Sequence, residues 1–190
     1  RAIGDGKGKL IVEQASAMQQ QVEHYLQRAR IAAQRESVVF RTPVGPVMER
    51  LTRVVRKLGP DKQVSLSLPP VDVTFAGEKE DLEEIGGNLL ENAMKWSRGR
   101  VRVTIAVPPE EDTSATLFTL AVEDDGPGIP EEKAREAQQR GSRLDETKPG
   151  TGLGLAIVSD LVKEYNGRLE LGLSDLGGLK ATVTLRRTGS

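Results

Sequence analysis

Two glycine-rich stretches, Glu123-Asp124-Asp125-Gly126-Pro127-Gly128-Ile129 and Gly150-Thr151-Gly152-Leu153-Gly154-Leu155, decide how the rest of this chain is interpreted. The first has the pattern D-x-G-x-G after a strand-like run, and the second has G-x-G-x-G before an amphipathic helical run. Glycines let a backbone approach a ligand closely, and free N–H groups at the start of a helix attract anions. Taken alone, the first stretch also fits an acidic turn, and the second fits a flexible linker followed by a helix N-cap.

Composition narrows the class of protein. The chain has 190 residues, enough for one good-sized core or one domain with an appendage. Its 27 basic and 28 acidic residues give a net charge of −1, which argues against a nucleic-acid binder. There is no cysteine, which excludes disulfides and Cys-based metal sites. No apolar run approaches the roughly 20 residues of a membrane-spanning helix, so we expect no membrane contact. The start at Arg1 fits a piece of a longer protein.

The N-terminal part predicts a long helical arm. From residue 11 to residue 32 apolar residues alternate at spacings of four and three, which is typical of a heptad seam. An ordinary amphipathic helix is the alternative. We place the domain boundary after residue 36, so that residues 1–36 hold a flexible N-terminus and the arm, and residues 37–190 hold the second domain.

The second domain alternates between helical and strand patterns. Helices are predicted at 44–58, 79–97, 133–139 and 153–165, and short strands at 64–68, 71–75, 101–107, 116–122, 168–173 and 180–185. Helices on one face of a mixed or antiparallel sheet make a two-layer α/β domain. We therefore predict this fold class, with the glycine stretches between the elements.

The helix at 79–97 carries candidate ligand-binding residues. At about 100° per residue, Asn88, Asn92 and Lys95 share a narrow sector beside the apolar one. An Asn carbonyl oxygen can ligate a hard cation while its amide donates, and Lys95 can meet phosphate oxygens. A solvated polar face explains these residues equally well. Asp124, for its part, could accept a hydrogen bond from the exocyclic amine of adenine.

Three motifs together resemble the catalytic domain of sensor histidine kinases. Residues Asn88–Trp96 are similar to the N box of that family, Asp124–Ile129 to its first glycine box, and Gly150–Leu155 to its second, in the same order. The resemblance covers about residues 40–188, and Arg140–Asp145 is similar to the PhoQ-type branch. It implies a Bergerat ATP-binding fold of the GHKL superfamily: an α/β two-layer sandwich with a mixed sheet and three helices on one face, preceded by the helical arm. It also implies ATP and Mg²⁺ as cofactors.

The resemblance assigns a role to each matched position. Asp124 would bind the adenine amino group, Asn88 would help hold Mg²⁺, and Asn92 and Lys95 would contact the phosphates. The catalytic set would be Asn88, Lys95 and two arginines of the ATP lid, Arg140 and Arg143, either of which could neutralise charge on the γ-phosphoryl. The nucleotide-binding set would be Asn88, Asn92, Lys95, Trp96, Asp124, Gly126, Gly128, Ile129, Gly150, Thr151, Gly152, Leu153, Gly154 and Leu155.

The phospho-accepting histidine of the family has no match here. The single histidine, His24, lies on the arm away from the heptad seam, where a solvated residue is the better interpretation. We therefore predict a protein-histidine kinase fragment whose acceptor lies on a dimerisation domain outside this chain. The resemblance further implies a cognate response regulator, a homodimeric parent and a cytoplasmic location, the parent being an inner-membrane sensor of a bacterium.

Two other functions remain open at this point. The first is a hydrolytic ATPase of the same superfamily, which carries a Glu general base at the position of Asn88. An Asn cannot take a proton from water at neutral pH, so this residue favours phosphotransfer. The second is an interaction module that senses ATP and transfers nothing. The intact Asn pair and both glycine boxes argue against it.

Overall fold

The computed structural model describes residues 40–108, 116–129 and 153–188. The chain divides into two units, Arg1–Val39 and Phe40–Ser190, and the account that follows concerns the second. The predicted helical arm lies outside the described residues, as does the predicted helix at 133–139. The domain boundary after residue 36 stays a prediction.

Helices and strands follow one another much as the sequence pattern predicts. The described residues form helices α1 (Val44–Leu58), α2 (Lys79–Trp96) and α3 (Leu153–Glu164). Their strands are β1 (Thr42–Pro43), β2 (Gln63–Ser67), β3 (Thr74–Phe75), β4 (Arg100–Ala106), β5 (Leu117–Asp124), β6 (Arg168–Leu173) and β7 (Leu179–Arg186). The main sheet has the order β2-β4-β5-β7-β6, in which β2 and β4 are parallel and the other neighbours antiparallel. The mixed sheet with three helices confirms the predicted fold class.

One face of the main sheet forms the core. Alternate residues of β4 and β7 are buried there, including Val103 and Val183, each at 0% exposure, while the central strand β5 is buried continuously from Leu120 to Asp124. The alternation in β4 and β7 is the period-two pattern expected of a half-buried strand. The buried sides of α1 and α2 join the same apolar cluster, as do Val158, Leu161 and Val162 of α3. A single core therefore holds the helices that carry the candidate site.

Helix α1 packs along a narrower stripe than its sequence predicts. Val44, Val47 and Met48 are buried. Val54 and Leu58, which the apolar pattern of the sequence assigns to the same side of the helix, are 48% and 80% exposed. At about 100° per residue Val54 lies at the edge of the buried sector, and Leu58 is the last residue of the helix. Thr52 fills the stripe instead, because its hydroxyl donates to the Met48 carbonyl oxygen at 2.8 Å.

Two strand predictions need correction. The strand predicted at 71–75 is reduced to Thr74–Phe75, which pairs with Thr42–Pro43 in a separate two-stranded sheet. The strand predicted to stop at residue 122 runs on to Asp124. Its acidic end is compatible with a strand because the carboxylate of Glu123, which is 3% exposed, lies 3.7 Å from Arg102 Nη1 and 3.9 Å from Lys180 Nζ. Asp124 therefore belongs to a strand and not to a turn.

The end of α3 matches its prediction. Asn166 has φ +51°, and Gly167 N–H donates to the Val162 carbonyl oxygen at 2.8 Å. This is a left-handed helix C-cap closed by a backbone hydrogen bond. The preceding residue, Tyr165, donates its hydroxyl hydrogen to the Asp81 carboxylate and accepts from Glu78 N–H at 3.3 Å. The C-terminal end of α3 is thus attached to the first turn of α2.

Candidate nucleotide-binding site

Asp124 is a buried carboxylate at the end of β5. It is 2% exposed, and its Oδ1 accepts from Gly126 N–H at 2.8 Å and from Leu179 N–H at 3.3 Å. Burial raises the pKa of Asp124, while the two backbone donors and the charge of Lys62 act against that rise. Among the described residues both of these donors go to Oδ1, so Oδ2 is the oxygen on which a ligand donor would converge.

Gly178, in the turn between β6 and β7, is packed against Asp124. A Cβ at this position would lie 2.5 Å from the Asp124 carbonyl oxygen and from Gly126 N, and closer still to Asp124 Oδ1. Gly178 N–H also donates to the Asp124 carbonyl oxygen at 3.1 Å. The β6–β7 turn therefore forms one wall of the aspartate site. Only the Gly177-Gly178 pair could have pointed to it, and such pairs are common in turns.

The first glycine stretch is packed closely against α2. A Cβ on Gly126 would collide with the Trp96 carbonyl oxygen and lie 3.0 Å from its carbon. Gly128 has φ +70°, a conformation that residues with a Cβ rarely adopt. Ile129, the last residue of the stretch, is partly buried against the core. The D-x-G-x-G segment is thus held against the C-terminal end of α2.

Asp125 has a structural role that its place in an acidic stretch does not predict. Its Oδ1 accepts from three consecutive backbone N–H groups, those of Arg98, Gly99 and Arg100, at 2.8, 3.0 and 3.0 Å. Burial acts to raise the pKa of Asp125, but these donors and the Arg100 side chain outweigh it and lower the pKa to about 2. The carboxylate thereby connects the glycine stretch to the α2–β4 connection.

We expect Asp125 to stabilise the fold only where it is ionised. Because its pKa is about 2 in the folded protein against 3.8 ordinarily, its contribution is complete above pH 4 and is lost as the pH falls toward 2. The shift corresponds to about 2 kcal/mol before solvent screening, and about 1 kcal/mol should remain because several of these hydrogen bonds are exposed to water. Asp125→Asn should lower the free energy of unfolding by about this amount at pH 6.

Urea denaturation of the wild type and Asp125→Asn at several pH values measures this effect. The difference in unfolding free energy between the two proteins should shrink as the pH falls below 4, because asparagine keeps an acceptor oxygen but does not titrate. A difference that stays constant down to pH 3 would contradict this role of Asp125.

Helix α2 carries the four predicted N-box contacts. Asn88 and Asn92 are half-buried and one turn apart, Lys95 is exposed, and Trp96 is half-buried. Asn88 Nδ2 donates to the Glu84 carbonyl oxygen at 2.8 Å, and Lys95 Nζ lies 5.2 Å from the centroid of the Trp96 ring. The neighbouring predicted core residues Ile85, Leu89 and Ala93 are buried. The polar side chains thus border the core, as the sequence pattern predicts.

The second glycine motif meets α2 at Asn88. A Cβ on Gly154 would lie 3.1 Å from Asn88 Oδ1, so the first turn of α3 approaches the amide oxygen closely. The positive end of a helix dipole is found at such an N-terminus. Leu155, the next residue, is partly buried against the core. Asn88 therefore lies beside the predicted phosphate-binding end of α3.

Both glycine motifs consequently contact one helix. Gly154 contacts α2 at Asn88 and Gly126 contacts it at Trp96. Asn88 and Trp96 are eight positions apart in α2, which is about 12 Å along the helix axis. Gly126 and Gly154 are thus held apart by one rigid helix.

Several predicted site residues lie outside the described residues: Arg140, Arg143, Gly150, Thr151 and Gly152, together with the side chain of Leu153. The structure brings Asn88 to Gly154, and Trp96, Asp124 and Gly126 to one another. The ligand contacts assigned to all of these residues stay predictions. Residues 40–108, 116–129 and 153–188 contain no cluster of three or more His, Cys, Asp or Glu residues suited to a metal ion. No helix in these ranges is long and apolar enough to span a membrane.

Known proteins match this chain in sequence and fold. Residues 77–189 match the family described as histidine kinase-, DNA gyrase B- and HSP90-like ATPases. The sensor protein PhoQ of Escherichia coli K12 is 35% identical over 182 residues, which cover 95% of this chain and 36% of that protein. The sensor protein kinase CarS of Pseudomonas aeruginosa is 44% identical over 127 residues, which cover 67% of this chain and 27% of CarS. The chain therefore spans about a third of the length of these relatives.

Solved structures give the same result. A mycobacterial sensor histidine kinase, MprB, is 25% identical with a TM-score of 0.68, over 80% of this chain and 100% of that one. The histidine kinase domain of the Escherichia coli osmosensor EnvZ is 28% identical with a TM-score of 0.59, over 83% and 94% of the two chains. The chain belongs to the histidine kinase-, DNA gyrase B- and HSP90-like ATPase family, as an ATP-binding catalytic domain of the sensor histidine kinase type.

Proposed function

We propose that this chain is the phosphoryl-donating part of a two-component sensor kinase. It binds Mg·ATP and transfers the γ-phosphoryl group to a histidine on a dimerisation domain outside the chain. The observation that carries the proposal is the contact between Asn88 and Gly154, because it puts an amide at the predicted phosphate-binding end of α3. A hydrolytic ATPase needs a carboxylate base there.

The adenine end of the site is formed by Asp124. Its Oδ1 is occupied by the N–H groups of Gly126 and Leu179, so Oδ2 accepts a hydrogen bond from the exocyclic amine of adenine. Guanine has a carbonyl oxygen in place of that amine, and a buried carboxylate would repel it. We therefore expect the site to prefer ATP to GTP.

The phosphate end is formed by α2 and the start of α3. Asn92 and Lys95 donate to phosphate oxygens, and the N-terminus of α3 adds backbone N–H groups and a favourable dipole. Because Asn88 Nδ2 is engaged with the Glu84 carbonyl oxygen, its Oδ1 faces Gly154. An amide oxygen in this position fits a hard cation held mainly by phosphates and water. Mg²⁺ bound there would offset the negative charge of the triphosphate.

Transfer breaks the bond between the γ-phosphorus and its bridging oxygen and forms a bond to an imidazole nitrogen, leaving ADP. Such transfers rely on positioning and on charge stabilisation. We assign positioning to Asn88 and Lys95, and charge stabilisation to Arg140 or Arg143. The product would serve a cognate response regulator, and the parent kinase would be a homodimer. We assign the chain to the cytoplasmic part of a bacterial inner-membrane sensor.

A transfer assay in trans tests the proposal. With γ-labelled ATP and Mg²⁺, this chain should label a separately supplied dimerisation domain of the same parent protein with acid-labile phosphate. It should leave itself unlabelled, since His24 is not the acceptor. Asn88→Ala should abolish the labelling, and an acceptor-histidine variant of the dimerisation domain is the matched control.

The other outcomes separate the alternatives. Release of phosphate without labelling of the dimerisation domain would indicate an ATPase. ATP binding with neither phosphate release nor labelling would indicate a sensing module. Label on His24 would overturn the assignment of the acceptor to another domain.

A further inference from the structure

Lys62 lies outside the three motifs. Its ammonium group is partly buried and makes hydrogen bonds within the fold. The residue follows the turn Gly59-Pro60-Asp61 and precedes β2. Its Nζ donates to the Met94 carbonyl oxygen, and to the carbonyl and hydroxyl oxygens of Ser97 at 3.1 Å each. An ammonium group has three donors, and these three acceptors use all of them.

These acceptors belong to the C-terminal turn of α2. The last carbonyl groups of a helix lack partners within the helix and form the negative end of its dipole, so a cation is favoured there. The loop that carries Lys62 is also packed against this turn, since a Cβ on Gly59 would lie 2.5 Å from Met94 Cε. Ser97 is 8% exposed, so the contacts are shielded from water.

The turn held by Lys62 contains the candidate site. Lys95 and Trp96 lie between its two carbonyl acceptors, Met94 and Ser97. The Trp96 carbonyl group is the surface against which Gly126 packs, and Gly126 N–H donates to Asp124 Oδ1 at 2.8 Å. A displacement of the turn therefore passes through Trp96 and Gly126 to the carboxylate that is proposed to bind adenine.

We propose that Lys62 is a positioning residue of the nucleotide site. It fixes the C-terminal turn of α2 so that Trp96 and Asp124 keep the spacing that the nucleotide requires. The inference rests on the proposed function, because it concerns the same ATP site.

The charge of Lys62 also supports the nucleotide site, through its effect on the ionisation of Asp124. Its charge lowers the pKa of Asp124, opposing burial, while neighbouring Asp125 raises it. Lys62 thus favours the ionised carboxylate that accepts from the adenine amine. Loss of the charge should weaken ATP binding most at the acidic end of the pH range.

The experiment compares Lys62→Met with the wild type by calorimetry, using a non-hydrolysable ATP analogue and Mg²⁺. We expect Lys62→Met to raise Kd about tenfold or more, because the three charge-assisted hydrogen bonds to the turn are lost. The rise should be larger at pH 6 than at pH 8. Lys57→Met makes the same chemical change on the exposed side of α1 and should leave Kd unchanged.

A destabilised variant serves as the control that separates a positioning role of Lys62 from a general loss of stability. Val44→Ala removes a buried side chain at the start of α1, outside the site, and should lower the melting temperature without changing Kd. Lys62→Arg, which keeps the charge, should recover part of the affinity and the wild-type pH profile. If Lys62→Met does not fold, Ser97→Ala, which removes one of the three acceptors, should raise Kd about threefold.

The outcomes are distinct. A Kd for Lys62→Met within twofold of the wild type would overturn the inference, as would an unchanged Kd for Ser97→Ala where Lys62→Met cannot be purified. A wild type that binds no nucleotide would overturn the proposed function, and the inference with it.

Discussion

Replacing Asp124 by alanine is expected to weaken Mg·ATP binding by about 100-fold or more. The carboxylate contributes a charge-assisted hydrogen bond to adenine, worth about 1.5–3 kcal/mol. Its loss also leaves the N–H groups of Gly126 and Leu179 without their acceptor. The site is then less well ordered, which should reduce the binding free energy by about a further 1 kcal/mol. Together these terms correspond to roughly two orders of magnitude in Kd. Isothermal calorimetry with a non-hydrolysable analogue measures the change.

Asp124→Asn is the matched control for this variant. Asparagine keeps an oxygen that accepts from Gly126 N–H but has no charge. We expect a smaller loss of affinity, about tenfold, and a reduced preference for ATP over GTP. The advantage of the wild type over Asp124→Asn should shrink as the pH is lowered, because burial raises the pKa of Asp124 and protonation removes the charge of the carboxylate. An Asp124→Ala protein that binds ATP like the wild type would refute the adenine site.

Gly178→Ala is expected to lower both stability and nucleotide affinity. The added methyl group would lie 2.5 Å from the Asp124 carbonyl oxygen and from Gly126 N, and still closer to Oδ1. Two of these atoms belong to the backbone, and Oδ1 is held by two hydrogen bonds, so the β6–β7 turn must move away from β5. Overpacking of this kind costs about 1–3 kcal/mol. We expect a lower midpoint in urea denaturation and at least about a tenfold rise in Kd, because Oδ1 is displaced.

The chain supplies a close control for Gly178→Ala. Gly172 lies on the edge strand β6, and a Cβ there meets no atom within 4 Å. Gly172→Ala should therefore leave the urea midpoint and Kd near their wild-type values. If the two alanine variants behave alike, the packing of Gly178 against Asp124 does not control the site.

The sequence predicted the parts of this fold that depend on local periodicity. Helix α2 was predicted at 79–97 and ends at Trp96, because its apolar and polar faces repeat with helical spacing. The strand ending at residue 122 was predicted two residues short, because Glu123 and Asp124 are uncommon strand residues. Their partners, Lys180 and Arg102 for Glu123 and Leu179 for Asp124, come from other parts of the chain.

The supporting residues of the site escaped prediction for the same reason. Lys62 looks like a surface lysine after a turn, and its acceptors are more than 30 positions away. Asp125 looks like part of an acidic turn, but it binds the backbone of residues 98–100. Gly178 becomes informative only when β7 pairs with β5. The residues predicted to face the ligand belong to motifs, whereas the residues that hold them in place depend on tertiary pairing.

The attachment of both glycine stretches to α2 has a consequence for variation within the family. A helix is stiff along its axis, so α2 sets the distance between Gly126 and Gly154, which lie at the proposed base and phosphate ends of the site. The chain between Ile129 and Leu153 need not set that distance itself. A change in the length of this connection should therefore leave the spacing of Gly126 and Gly154 along α2 unchanged. A one-residue insertion between Asn88 and Trp96, in contrast, would turn one end by about 100° relative to the other and dismantle the site.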